Sequence, residues 1–113
     1  NAKVEGATFK NVDMAPRQME KTIQFTNLEN GNFRSVDFTG ALLVNAVLAG
    51  GYFRDANFTV TNLENADMSG GNFKKANFTG ANLLGARLDG AKLNEAVFCN
   101  TVMPDGLVND ANC

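Results

Sequence analysis

Large apolar residues recur at every fifth position through most of the chain. The spacing begins at Leu28 and continues without a break to Phe98. A small or β-branched residue stands two positions before each of them, and the residue between is most often Asn or Asp, as in Ala56-Asn57-Phe58. A period of five matches neither the 3.6-residue period of an α-helix nor the two-residue period of an ordinary strand. The pattern therefore predicts a different kind of repeat.

A coil that turns a corner every five residues explains this spacing. On each side of such a coil the small and the large residue point inward, while the other three point to solvent. Four sides close a square, so successive coils stack at about 4.8 Å, the spacing of hydrogen-bonded strands. The first inward position accepts only small side chains because four backbones converge on a narrow core.

Residues 20 positions apart test this arrangement independently, because they should stack on one another. The large positions sort into four columns of like residues, two of Phe and two of Leu or Met. We expect these columns to form ladders in the core: Phe33, Phe53 and Phe73; Phe38, Phe58, Phe78 and Phe98; Leu28, Leu48, Met68 and Leu88; Leu43, Leu63 and Leu83.

The pattern A(N/D)(L/F)xx resembles that of the pentapeptide-repeat family over roughly residues 26–102. The resemblance implies an all-β fold, a right-handed quadrilateral β-helix of about four regular turns with short irregular or helical caps at its ends. One domain over residues 1–113 is expected. Members of the family differ widely in activity, so the resemblance specifies the fold and not the function.

The N-terminal part departs from the repeat. Residues 1–14 follow the five-residue pattern in another register, so residues 15–25 must contain an irregularity. This segment reads as a short helix with Pro16 in its first turn, or as a loop that bulges from one corner. A bulge between an incomplete first turn and the regular turns is the favoured interpretation, and an N-terminal cap is the alternative.

The C-terminal part departs from it as well. The pattern fades after Met103, and Pro-Asp-Gly at residues 104–106 signals a turn. A solenoid must cover the open end of its last coil, so we expect a cap over residues 103–113. Leu107 and Val108 are predicted to cover the end of the core.

The two cysteines, Cys99 and Cys113, both lie near this cap. A disulfide between them would tie the cap down and stabilise it by about 3 kcal/mol, and two unrelated thiols are the alternative. The C-terminal sequence also resembles pentapeptide-repeat proteins of cyanobacteria and of the chloroplast thylakoid lumen. That resemblance implies an oxidising compartment, the thylakoid lumen or the periplasm, with the cytoplasm as the alternative.

Composition narrows the function further. The net charge is −2, His is absent, and no nucleotide-binding glycine motif or metal-ligand spacing occurs. We therefore expect no enzymatic activity, no cofactor and no nucleic-acid partner. No run approaches the roughly 20 apolar residues of a membrane-spanning helix, so membrane insertion is not expected.

The outward positions offer two candidate surfaces. Arg34, Arg54 and Lys74 stack in one column, with Lys75 in the next, and this ladder could bind an anionic partner. The alternative is that neighbouring acidic residues neutralise it. A second candidate is an outward apolar patch of Leu42, Val44 and Val47, which competes with the view that scattered aliphatic residues are normal on a surface.

These observations predict a structural or protein-interaction module, a monomer or weak dimer, with an unknown protein partner. A DNA-mimicking modulator of a type II topoisomerase is the alternative. That activity needs a long, densely acidic surface, and the face that bears Glu29, Asp67, Arg87 and Asp89 is only mildly acidic.

Overall fold

The computed structural model describes residues 27–113, and the repeats form a four-sided coil. Parallel bridges join residues 20 positions apart, from Asn27↔Val47 to Asn82↔Val102. The 20-residue coil is therefore confirmed, and the fold is a right-handed quadrilateral β-helix. The irregular segment expected at residues 15–25 lies outside the described residues.

The four sides are numbered here in chain order. Side 1 contains the Phe33 ladder, side 2 the Phe38 ladder, side 3 the Leu43 ladder and side 4 the Leu28 ladder. The stacked segments are 31–35, 51–55, 71–75 and 91–95 on side 1; 36–40, 56–60, 76–80 and 96–100 on side 2; 41–45, 61–65, 81–85 and 101–105 on side 3; and 27–30, 46–50, 66–70 and 86–90 on side 4.

Each corner is a tight turn whose third residue has a positive φ. At one corner the N–H of Ala41 donates to the carbonyl of Phe38 at 2.9 Å, and Gly40 between them has a φ of 71°. Such a φ favours Gly and is tolerated by Asn. These two residue types accordingly occupy most corners, and Val60, with a φ of 49°, is the β-branched exception.

The Asn or Asp between the two inward residues stabilises the corner that follows. The Oδ1 of Asn57 accepts the N–H of Thr59 at 2.9 Å, as expected for a side chain that closes a local turn. The same contact to the residue two positions on is made by Asn27, Asn32, Asp37, Asn62, Asp67, Asn72, Asn77 and Asn82.

The core consists of the stacked inward side chains. Within each Phe ladder, ring centroids lie 5.0–5.5 Å apart with planes 3–9° from parallel. Rings of the two ladders meet at 5.7–6.2 Å and 51–56°. Both geometries are favourable for aromatic pairs. The ladder residues are buried, except that Leu28, Leu88 and Phe98 at the ends are partly exposed.

The C-terminal segment forms a hairpin and does not cover the core as expected. Strand β1 (Thr101–Val102) continues side 3, and β2 (Val108–Asn109) pairs with it in antiparallel fashion. The prediction that Leu107 and Val108 cover the core is wrong: they are 69% and 58% exposed. The pairing of β2 with β1 adds a strand to the edge of side 3 and leaves Leu107 and Val108 in solvent.

Candidate interaction surfaces

The structure stacks the predicted basic ladder on side 1. Arg34, Arg54 and Lys74 each follow an inward Phe, and Asn32 and Asn72 hold the backbone N–H groups of the first and third at 3.2 and 3.1 Å. Because the preceding Phe side chains point into the core, the cationic side chains project outward.

A shallow groove crosses side 1 at its three C-terminal coils. It has a volume of about 240 Å³ and is lined by Arg54, Lys74, Lys75, Asn94 and Glu95. The groove therefore presents three cationic side chains and one carboxylate to an incoming group.

Carboxylates neutralise part of the ladder. Oδ2 of Asp55 lies 4.0 Å from Nε of Arg34 and 3.8 Å from Nε of Arg54, and Lys75 Nζ lies 3.8 Å from a carboxylate oxygen of Glu95. These side chains are 36–71% exposed, so each pair contributes about 1 kcal/mol or less.

Lys74 is the cation of the ladder that remains open to a partner. Within residues 27–113, no carboxylate lies at salt-bridge distance from Lys74. The Nε of Arg54 is buried and lies 3.8 Å from a carboxylate oxygen of Asp55, so this nitrogen is not accessible to an incoming group. A partner carboxylate or phosphate at the groove could pair with Lys74.

Charge is segregated between side 1 and the rest of the described chain. Side 1 carries five of the six cations of residues 27–113 and two carboxylates, a net charge of +3. The other three sides and the cap carry one cation and seven carboxylates, a net charge of −6. This segregation of charge becomes visible in the sequence only when residues 20 positions apart are aligned as the coil stacks them.

The acidic residues of the other sides are dispersed rather than packed into one surface. On side 4, Arg87 pairs with Asp89 at 3.5 Å, and hydrogen bonds from the hydroxyl and N–H of Ser69 lower the pKa of Asp67 below its ordinary value of 3.8. Side 2 carries a single carboxylate, Asp37, within residues 27–113. This distribution differs from the dense acidic face that a DNA mimic requires.

The predicted apolar patch is divided between two sides. Leu42 and Val44 lie on side 3 and Val47 on side 4, and all three are only partly exposed. Leu42 is bridged to Asn62 in the next coil, and Val47 to the coils on either side. Within residues 27–113, the large hydrophobic residues that are most exposed lie elsewhere, at Val60, Leu84, Leu107 and Val108.

A second groove lies on the C-terminal hairpin. It has a volume of about 660 Å³, is wide open to solvent and is lined by eight residues between Met103 and Ala111, including Leu107 and Val108. The sequence did not predict this site, because Leu107 and Val108 were expected to lie in the core. The Pro-Asp-Gly turn was the available signal, since it reverses the chain immediately before them.

The structure joins Cys99 and Cys113 in a disulfide with a Cα–Cα distance of 4.9 Å. Asp110 Oδ1 lies 3.5 Å from the Sγ of Cys113, so three atoms of types that bind metals are close together. Because the sulfurs are bonded to each other, they offer no thiolate to a metal ion. The disulfide acts instead as a covalent tether for the end of the chain.

On side 2, side chains near this tether accept the hydrogen bonds that the backbone of a further coil would otherwise accept. The Oδ1 of Asn112 accepts the N–H of Phe98 at 2.9 Å, and the Oδ1 of Asp110 accepts the N–H of Asn100 at 2.8 Å. One coil below, the equivalent N–H groups of Phe78 and Gly80 donate to backbone carbonyls of the coil above. The tail therefore satisfies backbone groups that would otherwise remain unpaired at the edge.

A sequence model of the family described as Pentapeptide repeats, with eight copies, matches residues 23–59, 61–94 and 81–105. The chain belongs to the pentapeptide-repeat family. No curated protein sequence matches it. Among residues 27–113, no helix has the length and apolar character needed to span a bilayer.

Solved structures of the same fold come from chloroplasts and cyanobacteria. The chain is similar to a pentapeptide repeat protein of the Arabidopsis thaliana thylakoid lumen, with 22% identity over 96% of this chain and 70% of that one and a TM-score of 0.80. It is also similar to Rfr23 from the cyanobacterium Cyanothece 51142, with 21% identity over 90% and 88% of the two chains and a TM-score of 0.53. At these identities the similarity establishes the fold.

Proposed function

We propose that the protein is a non-enzymatic protein-interaction module that uses side 1 to bind an acidic surface of a partner protein. The observation that carries this proposal is the segregation of charge, with +3 on side 1 and −6 on the remainder of residues 27–113. Such a distribution orients the molecule as it approaches a negatively charged surface and raises the rate of productive encounters.

The fold supports this role because it presents the cations on a rigid surface. Arg34, Arg54 and Lys74 project from stacked coils joined by backbone hydrogen bonds, as between Phe33 N–H and the Tyr52 carbonyl at 2.7 Å. Little backbone ordering is then required on binding, which favours affinity. The ammonium group of Lys74, which pairs with no carboxylate of residues 27–113, marks the groove as the centre of the contact.

Capture of partners from a native extract at low ionic strength tests the proposal. We expect replacement of Arg34, Arg54 and Lys74 with Gln to reduce capture strongly, because the removed charges face the partner. A matched variant, Asn27→Asp/Asn62→Asp/Asn77→Asp, lowers the net charge by the same three units but away from side 1, and capture should persist. Equal capture by the triple Gln variant and the unaltered protein would contradict the proposal.

We place the module in an oxidising compartment, the thylakoid lumen or the periplasm. The support for this location is the Cys99–Cys113 disulfide, since structural disulfides are rare in reducing compartments. The intact mass of protein taken from its native cells and alkylated without reduction tests it. No added alkyl groups are expected, and two added groups would mean free thiols and favour a cytoplasmic location.

A gyrase supercoiling assay separates this function from that of a topoisomerase modulator. A DNA mimic uses a dense acidic surface, whereas the acidic residues here are spread over three sides and the cap. We therefore expect no inhibition in a gyrase supercoiling assay at micromolar protein. Inhibition there would reverse the ranking of the two functions.

A further inference from the structure

The C-terminal hairpin turns two large apolar side chains toward solvent. Gly106 N–H donates to the Met103 carbonyl at 2.8 Å, and Met103 N–H donates to the Leu107 carbonyl at 2.8 Å, so the Pro-Asp-Gly turn is closed on both sides. The hairpin therefore has a defined conformation. Within residues 27–113, Leu107 and Val108 are the most exposed of the large hydrophobic residues, and contiguous exposed apolar surface marks a contact site.

The groove beside these residues has an apolar surface and an acidic rim. Met103, Pro104, Leu107, Val108 and Ala111 supply its apolar lining. The remaining lining residues are Asp105, Asn109 and Asp110, so both charged groups are carboxylates. One oxygen of Asp110 accepts the N–H of Asn100, which holds this carboxylate in place.

We propose that this groove binds a partner segment in which a large apolar side chain is flanked by Lys or Arg. The apolar side chain would lie against Leu107 and Val108, and the flanking cations would pair with Asp105 and Asp110. Apolar burial supplies affinity, and the carboxylates select the cationic flanks. The groove is separate from side 1, so this proposal does not depend on the proposed function.

A partner segment fits this chemistry better than residues 27–113 of a second copy do. Five of the six cations of residues 27–113 lie on side 1, and the strongly exposed hydrophobic residues of the same range, Val60, Leu84, Leu107 and Val108, lie on side 2, on side 3 and on the hairpin. The described chain therefore has no exposed apolar residue between cations to offer to its own groove.

The groove is also held in place before binding. The Cys99–Cys113 disulfide and the hydrogen bonds of Asn112 and Asp110 fix the segment that forms one rim. A preformed groove avoids the cost of ordering a loop when the partner binds. Loss of the disulfide should therefore weaken binding without changing the residues that contact the partner.

Fluorescence anisotropy with labelled synthetic peptides tests the proposal. The probe has the sequence Gly-Lys-Leu-Lys-Gly, and the control peptides replace its Leu with Gly or its two Lys with Glu. We expect saturable binding of the probe alone. The variant Leu107→Ser/Val108→Thr, in which Thr keeps the β-branched shape required in β2, should bind at least about tenfold more weakly.

Three controls make the result specific. Val60→Ser removes an equally exposed apolar residue from a different corner and should leave binding unchanged. Replacement of Arg34, Arg54 and Lys74 with Gln should also leave it unchanged, which distinguishes this site from side 1. Cys99→Ser/Cys113→Ser should weaken it.

Three outcomes would overturn the proposal. The first is equal affinity of the Leu107→Ser/Val108→Thr variant, provided that its circular dichroism spectrum and melting temperature show a folded protein. The second is equal binding of the peptide that lacks Leu, which would reduce the interaction to charge alone. The third is a concentration-dependent dimer, seen by sedimentation and abolished by Leu107→Ser, which would make a second copy the occupant.

Discussion

Gly51 and Phe53 occupy one side of the coil in such close contact that a Cβ on the glycine would lie 2.3 Å from Cε2 of the ring. The same contact recurs at Gly31 and Gly71, each with the Phe two residues later. In the last coil, position 91 is Ala and position 93 is Leu. Glycine is therefore present on side 1 where a Phe ring lies over the backbone, and a larger residue is present where the ring is absent.

This contact predicts that Gly51→Ala destabilises the fold. The ring of Phe53 is stacked 5.0 Å from those of Phe33 and Phe73, so it cannot move aside without disturbing both neighbours. We expect a loss of about 1–3 kcal/mol in the free energy of unfolding, measured by urea denaturation.

A second substitution tests the cause of that loss. Phe53→Leu removes the ring and reproduces the pair Ala91 and Leu93 when combined with Gly51→Ala. The double variant should be more stable than the sum of the two single effects by about 1 kcal/mol. Strict additivity would mean that the steric contact is not responsible.

The positive φ of Val60 indicates that replacing this residue with Gly stabilises the fold. This β-branched residue has a φ of 49° and a 57% exposed side chain, so its backbone is strained without compensating burial. Val60→Gly should raise the free energy of unfolding by about 1 kcal/mol. The matched change Val44→Gly, at a corner position without a positive φ, should lower it. Destabilisation by Val60→Gly would contradict the strain argument.

Removal of the disulfide is expected to lower the stability of the whole fold and to loosen the C-terminal tail locally. The 14-residue separation of the two cysteines corresponds to about 3 kcal/mol of stabilisation in the chain-entropy description. In Cys99→Ser/Cys113→Ser, we expect faster hydrogen exchange at the N–H groups of Phe98 and Asn100, because the tail supplies their acceptors. The N–H of Phe58 bonds to Asn77 within the regular coils and should show a smaller change.

Asp67 predicts a pH dependence of stability. The pKa of its carboxyl is lowered by the hydrogen bonds from Ser69, so the folded state favours the ionised form. This contribution is complete above the ordinary pKa of 3.8 and is lost as the pH falls through the lower folded value. Asp67→Asn retains the Oδ1 acceptor but does not titrate. The stability advantage of the unaltered protein over this variant should shrink below about pH 4.

The reciprocal change provides the control for this pH effect. Asn77 accepts hydrogen bonds from the N–H and the hydroxyl of Thr79 in the same geometry. Asn77→Asp should therefore introduce an additional loss of stability at acid pH, measured by thermal unfolding across the range. A pH profile identical to that of the unaltered protein would show that the turn does not stabilise the carboxylate.

The regular coils were predictable from the sequence because their interactions repeat. Each inward Phe or Leu meets a similar residue 20 positions away, and each Asn or Asp closes the same local turn, as Asn57 does with Thr59. Fifteen large residues in one register therefore specify the period, the four ladders and the columns of surface charge. The column of cations on side 1 follows from this register alone.

The cap could not be predicted in the same way. Leu107 and Val108 are apolar and stand at the end of a solenoid, which favours a role in the core, yet pairing between β1 and β2 turns them toward solvent. The sequence alone determined the coil, its core and the position of the basic ladder, because these follow from one local pattern repeated many times. Only the tertiary structure determined the acidic-rimmed groove and the tail that replaces the next coil, because these depend on single, unrepeated contacts between distant residues.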